Sequence, residues 1–289
     1  MGLGNKQGAG LISILLGLTS AISWGAGDFT GGLASRKTGA YRAVFYGEAV
    51  GLVLLFAVVF TTPQPMPDFK SILLSIAAGA LGTVGLMLLY TAMAQGKMSI
   101  AAPVSALLAA ALPVIVGMFT DGFPGYLTLL GFGFALAAIW LVSQSEGGVE
   151  NIFTHLSDLR LPLLAGVGFG LYFILMHAAT RQTTFWPMVY SRSAGLSTMA
   201  VFILVRRESF KTVRAAWTVM ILNGILDVGG NFFYILAGQA GRLDISAVLS
   251  SLFPGSTVLL AWIILKERLT RTQWLGILCA LIAIILFTV

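Results

Sequence analysis

The sequence predicts an all-α polytopic membrane protein: ten transmembrane helices arranged as two inverted five-helix repeats. Three observations lead there. Apolar runs of about 20 residues, the length that crosses a hydrocarbon core as helix, recur along the whole chain. Mean hydropathy is +0.92 and only 10% of residues are charged, against roughly a quarter in soluble domains. The runs are long and continuous, which selects helices over the short alternating strands of a barrel. Third, the halves share a pattern. SIAAPVSALL from Ser99 aligns with DISAVLSSLF from Asp244, and the same spacing pairs Gly131 with Gly276 and Ala138 with Ala283. One step out of phase, LLYTAMAQ (88–95) matches NFFYILAGQ (231–239) at Tyr90/Tyr234 and Gln95/Gln239, and VFYGEAVGL (44–52) faces VYSRSAGL (189–196). An odd number of spans per half makes the second half cross in the opposite sense. Secondary transporters build two alternating gates around one central site in this way.

The spans follow in order. The first, 11–33, runs past Trp24 and reads as a span, not a cleaved signal; Gly27 and Gly31 have the small-xxx-small spacing of close helix contacts. The second, 43–61, ends in the proline-rich TPQPMPD (62–68). The third, fourth and fifth occupy 71–94, 99–119 and 125–143, joined by tight turns. The hydrophilic QSEGGVENIFTHLSDLR, 144–160, falls at the midpoint, as a linker between repeat one (1–143) and repeat two (161–289). The sixth span, 161–180, contains GVGFG, which lacks the strand context of a dinucleotide site. The seventh, 187–205, precedes the basic RRESFKTVR (206–214), and the eighth covers 214–238. Asp244 is expected to N-cap the ninth, 244–264, and 272–289 is the tenth.

The net charge of +6 is carried by short loops, where it sets orientation and touches headgroups. It is no sign of nucleic-acid binding. Loops after odd-numbered spans hold Arg36, Lys37, Arg42, Lys97, Arg160, Arg206, Arg207, Lys211, Arg214, Lys266, Arg268 and Arg271; the other side holds Lys6, Lys70, Arg181 and Arg242. The positive-inside rule makes the crowded side cytoplasmic and both termini external. The single Cys279 lies in an apolar run, so no disulfide or thiolate metal site is expected. No HExxH, GxSxG or Walker motif occurs. Neither a metal nor another cofactor is expected, and with no ATP motif the driving force is a gradient, with protons a candidate coupling ion.

The ending SSLFPGSTVLLAWIILKERLTRTQWLGILCALIAIIL resembles the repeat of the drug/metabolite transporter superfamily, EamA type. The pattern is carried by Pro254, Glu267, Arg268, Leu269, Gln273 and Gly276. The first half repeats it more weakly, with Asp121 and Gly122 where Lys266 and Glu267 stand and the proline moved to Pro113. The resemblance covers essentially the whole chain. It implies a secondary transporter with no catalytic residues, a central cavity walled by spans one, three, four, six, eight and nine, and export. Members of that family are drawn with cytoplasmic termini, the reverse of the charge count.

Ionisable groups within spans are costly and therefore functional candidates. Here they are Asp28, Glu48, His177, Arg192 and Asp227. Asp227 stands near the middle of the eighth span, and Asn223, Asp227, Asn231 and Tyr234 share one helix face. That stripe reads as a substrate-amine or proton site; the competing reading is a buried network that holds helices together. The third span carries Gly79, Thr83, Met87 and Tyr90 on the matching face. Glu48 and Arg192 are repeat equivalents, an acid against a base. By depth, Asp28 and Glu48 belong near one face, His177 and Arg192 near the other, as gate or substrate-carboxylate contacts; snorkelling to the interface is the alternative. His177 is a candidate proton relay. Trp24 and Tyr172 match in spans one and six, and the resemblance makes these two, Tyr90, Tyr234, Ser105 and Ser250 candidate wall residues.

The favoured reading is a monomeric secondary transporter of an inner (plasma) membrane, exporting small metabolites such as amino acids or related amphoteric solutes by alternating access. The alternatives are a proton-coupled exporter of lipophilic cations and, from another class, a lipid-modifying membrane enzyme. An enzyme would gather acidic or histidine ligands near a headgroup-facing loop, whereas Glu146, Glu150, His155 and Asp158 are scattered through the linker.

Overall fold

A computed structural model describes residues 3–94, 98–142, 159–265 and 269–288. Most of the expected linker, including Glu146, Glu150, His155 and Asp158, lies outside these residues, as do Gln95, Lys97 and Lys266 to Arg268. The helices are α1 (Leu3–Thr38), α2 (Ala40–Thr61), α3 (Phe69–Ala94), α4 (Met98–Thr120), α5 (Tyr126–Val142), α6 (Arg160–Ala179), α7 (Phe185–Val205), α8 (Trp217–Ala240), α9 (Leu243–Ser250), α10 (Phe253–Leu265) and α11 (Arg271–Thr288). Counting α9 and α10 as one pass, the described residues make ten passes. Seven passes have the length and hydropathy of a membrane span; Val104–Thr120, Tyr126–Val142 and Arg271–Phe287 are shorter apolar helices. Apolar side chains such as Val53, Phe60, Phe119, Leu204 and Ile263 face outward, the surface a bilayer requires.

Five passes in the first half put the start of α6 on the face opposite the start of α1, so the second half is inverted. The face carrying the α1–α2 and α7–α8 connections holds Arg36, Lys37, Arg42, Arg206, Arg207, Lys211 and Arg214; it is called the basic face below. The turn into α2 passes through Gly39 at φ +87°, a conformation L side chains resist.

The halves interleave. α1 packs most extensively on α8, α3 on α6 and α7, α5 on α11, and α2 on α7 and α8. Three hydroxyls on α1 stitch the first of these seams: Ser13 donates to Ala237 O (2.8 Å), Ser20 to Gly230 O (2.8 Å) and Ser23 to Leu226 O (2.7 Å). Small residues let backbones approach; a Cβ on Gly168 would stand 2.8 Å from Leu81 O.

Two expectations are corrected. The ninth span is not one helix: it breaks after Ser250 and resumes at Phe253. Residue 254 is proline, so the Ser250 carbonyl lacks its i+4 N–H, and the ring of Pro254 crowds the same carbonyl. The chain tightens instead, with Leu252 N on Leu249 O (3.2 Å) and Gly255 N on Leu252 O (2.9 Å). Nor is Asp244 the N-cap of α9. It is fully buried in the first turn and pairs with Arg242 at 2.7 Å, while Asp121 Oδ2 receives the Leu243 N–H at 3.1 Å. Asp121 reaches the helix end from another loop, a partner that local spacing cannot reveal. The hydrogen bonds that Arg242 donates to the Asp244 carboxylate also hold its guanidinium above its ordinary pKa.

Candidate functional site

A cavity of about 110 Å³ lies among α1, α2, α3, α6, α7, α8 and α10. Trp24 and Asp28 enter it from α1, Glu48 from α2, Tyr172 from α6, Arg192 from α7, and Asp227 and Asn231 from α8. These are seven of the residues singled out by sequence. The α3 wall is Gly79, Gly82, Thr83, Leu86 and Leu89; Phe169, Phe173 and Phe253 supply further apolar surface. The phenylalanines were missed because an apolar side chain within a span carries no signal that it faces a cavity and not lipid.

The polar side chains form one chain. Arg192 Nη1 is 2.9 Å from Glu48 Oε2, and Nη2 pairs with Asp227 Oδ2. Thr83 donates to Glu48 Oε1 at 3.2 Å. Asn231 donates to Asp227 Oδ2 (3.2 Å) and Asp227 O (2.7 Å), and accepts the Tyr172 hydroxyl. Five helices are thereby tied together: α3, α2, α7, α8 and α6. The side chains of Arg192 and Glu48 are only 10% and 9% exposed, so neither snorkels.

The expected placement of Glu48 and Arg192 near opposite faces is also corrected. Each stands eight or fewer residues into its helix, about 12 Å at 1.5 Å per residue. In a core of about 30 Å that leaves a gap of only a few ångströms in depth, which an arginine side chain spans. The pair therefore meets near the midplane. Two carboxylates already engage Arg192, one on each terminal nitrogen, so a substrate carboxylate would compete with them for the guanidinium.

Asp28 is different. Partly exposed to the cavity, it has neither a hydrogen bond nor an ion pair among the described residues. The site thus gathers three acids and one base, and the base is shared by the other two acids. Aromatic rings border it: Trp24 stacks on Phe173 (5.4 Å between centroids) and on Tyr234 (5.9 Å).

The remaining predicted residues lie outside the cavity lining. Tyr234 is buried and donates to Phe173 O at 2.7 Å. Asn223 donates to Gly27 O at 2.9 Å. For these two the helix-holding reading of the α8 stripe applies. Tyr90 is buried beside Asn223, against Gly31 of α1. Ser105 and Ser250 are fully buried, and Ser250 Oγ has no partner among the described residues. His177 opens instead on a polar vestibule at the face opposite the basic one, with Gln64, Asp121, Arg181, Gln239 and Arg242. Among the described residues no group of three or more His, Cys, Asp or Glu could hold a metal.

Two inverted sets of five passes around a charged midplane cavity define a membrane permease built by repeat. The chain belongs to the EamA-like transporter family, which it matches over residues 11–144 and again over 159–289. An uncharacterised protein of Methanocaldococcus jannaschii is 27% identical over 129 residues, 45% of this chain and 94% of that protein; it is therefore about one repeat long. A solved crystal structure, described only as that of a protein, superposes with a TM-score of 0.75 at 17% identity, covering 95% of both chains. The ten-pass fold is shared by that structure.

Proposed function

We propose that this transporter exchanges a small amine-bearing solute for protons across the plasma membrane by alternating access. One observation carries the reading: Arg192 is paired with both Glu48 and Asp227, and Asp28 is the cavity carboxyl left without a hydrogen bond or ion pair among the described residues. A bare carboxylate near the bilayer midplane is costly. Asp28 therefore crosses between states either protonated or paired with a cation. A proton and an amine that exclude each other on one carboxyl are exchanged in opposite directions, and an inward proton gradient then drives the amine outward. Aromatic faces at Trp24, Phe173 and Tyr172 add cation–π attraction.

Size narrows the class. The cavity, about 110 Å³, is smaller than the roughly 150 Å³ engineered hole that accepts benzene. A small aliphatic amine fits this state; a large lipophilic drug does not. The amine end of the amino-acid expectation is retained, whereas its carboxylate end would have to compete with Glu48 and Asp227 for Arg192. Both inverted halves reside in one polypeptide, so a single chain suffices, and its role is transport, not catalysis.

The test is proton-gradient-driven exchange in liposomes, using radiolabelled methylammonium, choline, agmatine, tetraphenylphosphonium and glycine. Movement of the small amines that requires a pH gradient and is lost in Asp28→Asn supports the reading. Movement of glycine without the amines would sink it.

A further inference from the structure

Asn223 and Tyr90, expected at the substrate site, lie outside the cavity and in register with one another at its end toward the basic face. On each contributing helix the next residues in that direction converge. α1 contributes Gly31, three residues beyond Asp28; α2 contributes Gly47, next to Glu48; α3 contributes Tyr90, next to Leu89; α8 contributes Asn223, one turn before Asp227. A Cβ on Gly31 would stand 2.6 Å from the Tyr90 hydroxyl and 2.9 Å from Asn223 Nδ2, and one on Gly47 would collide with Asn223 Oδ1. The absent side chains of two glycines are the seats in which the two polar ends rest. Asn223 is also held by its 2.9 Å bond to Gly27 O.

We propose that Asn223 and Tyr90, seated on Gly47 and Gly31, form the gate that closes the central cavity toward the basic face. The inference rests on the alternating-access reading and assigns these residues a role in access instead of substrate contact. The repeat supports the asymmetry. The α3 counterpart of Asn223 is Gly79, and the α7 counterpart of Gly47 is Ser191; Gly79 packs directly on the Ser191 backbone. In that mirror contact two backbones touch and no side chain is available to withdraw. The movable polar plug is therefore on the basic face.

The geometry also says which substitutions move the plug without breaking the fold. At Gly31 and Gly47 an added methyl meets the ends of side chains, which can swing away, whereas at Gly79 it would meet backbone. Gly47→Ala should unseat Asn223 and open the basic-face path.

The experiment uses the full chain with its single cysteine replaced (Cys279→Ser) and a reporter, Leu86→Cys, in the cavity wall. A membrane-impermeant maleimide is applied to vesicles of each orientation. Labelling from the basic face should be slow in the parent and faster by about tenfold in Gly47→Ala, a shift of that order in the closed-to-open ratio. Gly47→Ala/Asn223→Gly should keep the fast labelling, because the plug is gone, and Asn223→Gly alone should match it. Gly32→Ala, whose Cβ would meet nothing within 4 Å, should leave the parental rate. Fast labelling of the parent from the basic face would overturn the assignment, as would equal rates in the parent, Gly47→Ala and Asn223→Gly. The readout needs no substrate, so it can fail while the amine-exchange reading stands, and the reverse.

Discussion

Arg192 of α7 and Glu48 of α2 occupy equivalent positions in the two repeats, and their side chains meet as an ion pair of 2.9 Å. An inverted duplication places equivalent residues at mirrored depths, so two positions slightly off the midplane face each other across it. Divergence of one copy to an acid and the other to a base has turned this symmetry contact into a bond between the halves. Asp227 joins from α8. The arginine is consequently the shared counter-ion of two carboxylates, and the acid assigned to exchange in the proposed function is the one it does not reach.

Removing Arg192 should be far worse than removing any one acid. Arg192→Met leaves Glu48 and Asp227 buried without a partner, a loss on the scale of about 3–5 kcal/mol. The triple variant Arg192→Met/Glu48→Gln/Asp227→Asn removes all three charges and should regain most of the stability without regaining transport. Thermal unfolding in detergent checks this; a triple variant as unstable as the single would show that the ion pairs are not what the arginine supports.

Asp28 should behave in the opposite way. Among the described residues it makes no bond that a neutral amide would forfeit, so Asp28→Asn should unfold at or above the parental temperature while losing proton-driven exchange. In the parent, amine binding should weaken as pH is lowered, because protonation removes the one cavity carboxylate that has no ion-pair partner among the described residues; in Asp28→Asn the residual binding should be flat with pH. Equilibrium binding of labelled methylammonium between pH 5 and 9 measures both, and a parental profile as flat as the variant's would remove Asp28 from the role.

Much of this was legible from the sequence, and the gaps have one physical origin. Span length and hydropathy depend on local composition, and they located ten passes and the repeat. Depth along a helix follows from residue count, and it placed Asp227 and Asn231 at the level of the cavity. What a count does not contain is the rotation of one helix against another. Thus Asn223 and Tyr234, on the same face as Asp227 by periodicity, turn out to bond to Gly27 O and Phe173 O on neighbouring helices. Nor does depth alone include side-chain reach, which is why Arg192 and Glu48 were expected apart. The break in span nine had a visible cause in Pro254, but proline is tolerated within membrane helices, where neighbours satisfy the freed groups.

Pro254→Ala tests that break. Restoring an N–H at residue 254 gives Ser250 O a helical donor and removes the ring clash, so α9 and α10 should fuse. A helix-interior proline costs about 3 kcal/mol relative to alanine, and part of that should appear as a higher unfolding temperature. Phe253, which borders the cavity, would be rotated by the added turn, so exchange should fall even as stability rises. A variant that is both less stable and fully active would mean the break is not held open by the proline.

Cavity size should set which amines are carried, and two wall residues allow the space to be changed in opposite directions. Gly82 lines the cavity, and a Cβ there would stand 3.0 Å from the Tyr172 ring. Gly82→Ala therefore both fills space and presses on the ring whose hydroxyl holds Asn231. Phe253 also lines the cavity, and none of the hydrogen bonds of the charged chain passes through its side chain, so Phe253→Ala enlarges the cavity and leaves that chain in place. In competition exchange between methylammonium and choline, Gly82→Ala should shift preference toward methylammonium and Phe253→Ala toward choline, by roughly threefold to tenfold each, the discrimination of about a methylene or two in an apolar pocket. Stability should fall in Phe253→Ala, since a truncated phenylalanine leaves a void. That loss does not confound the result, because the preference is a ratio measured on one protein preparation. Identical ratios in both variants and the parent would place substrate selection elsewhere than in this cavity.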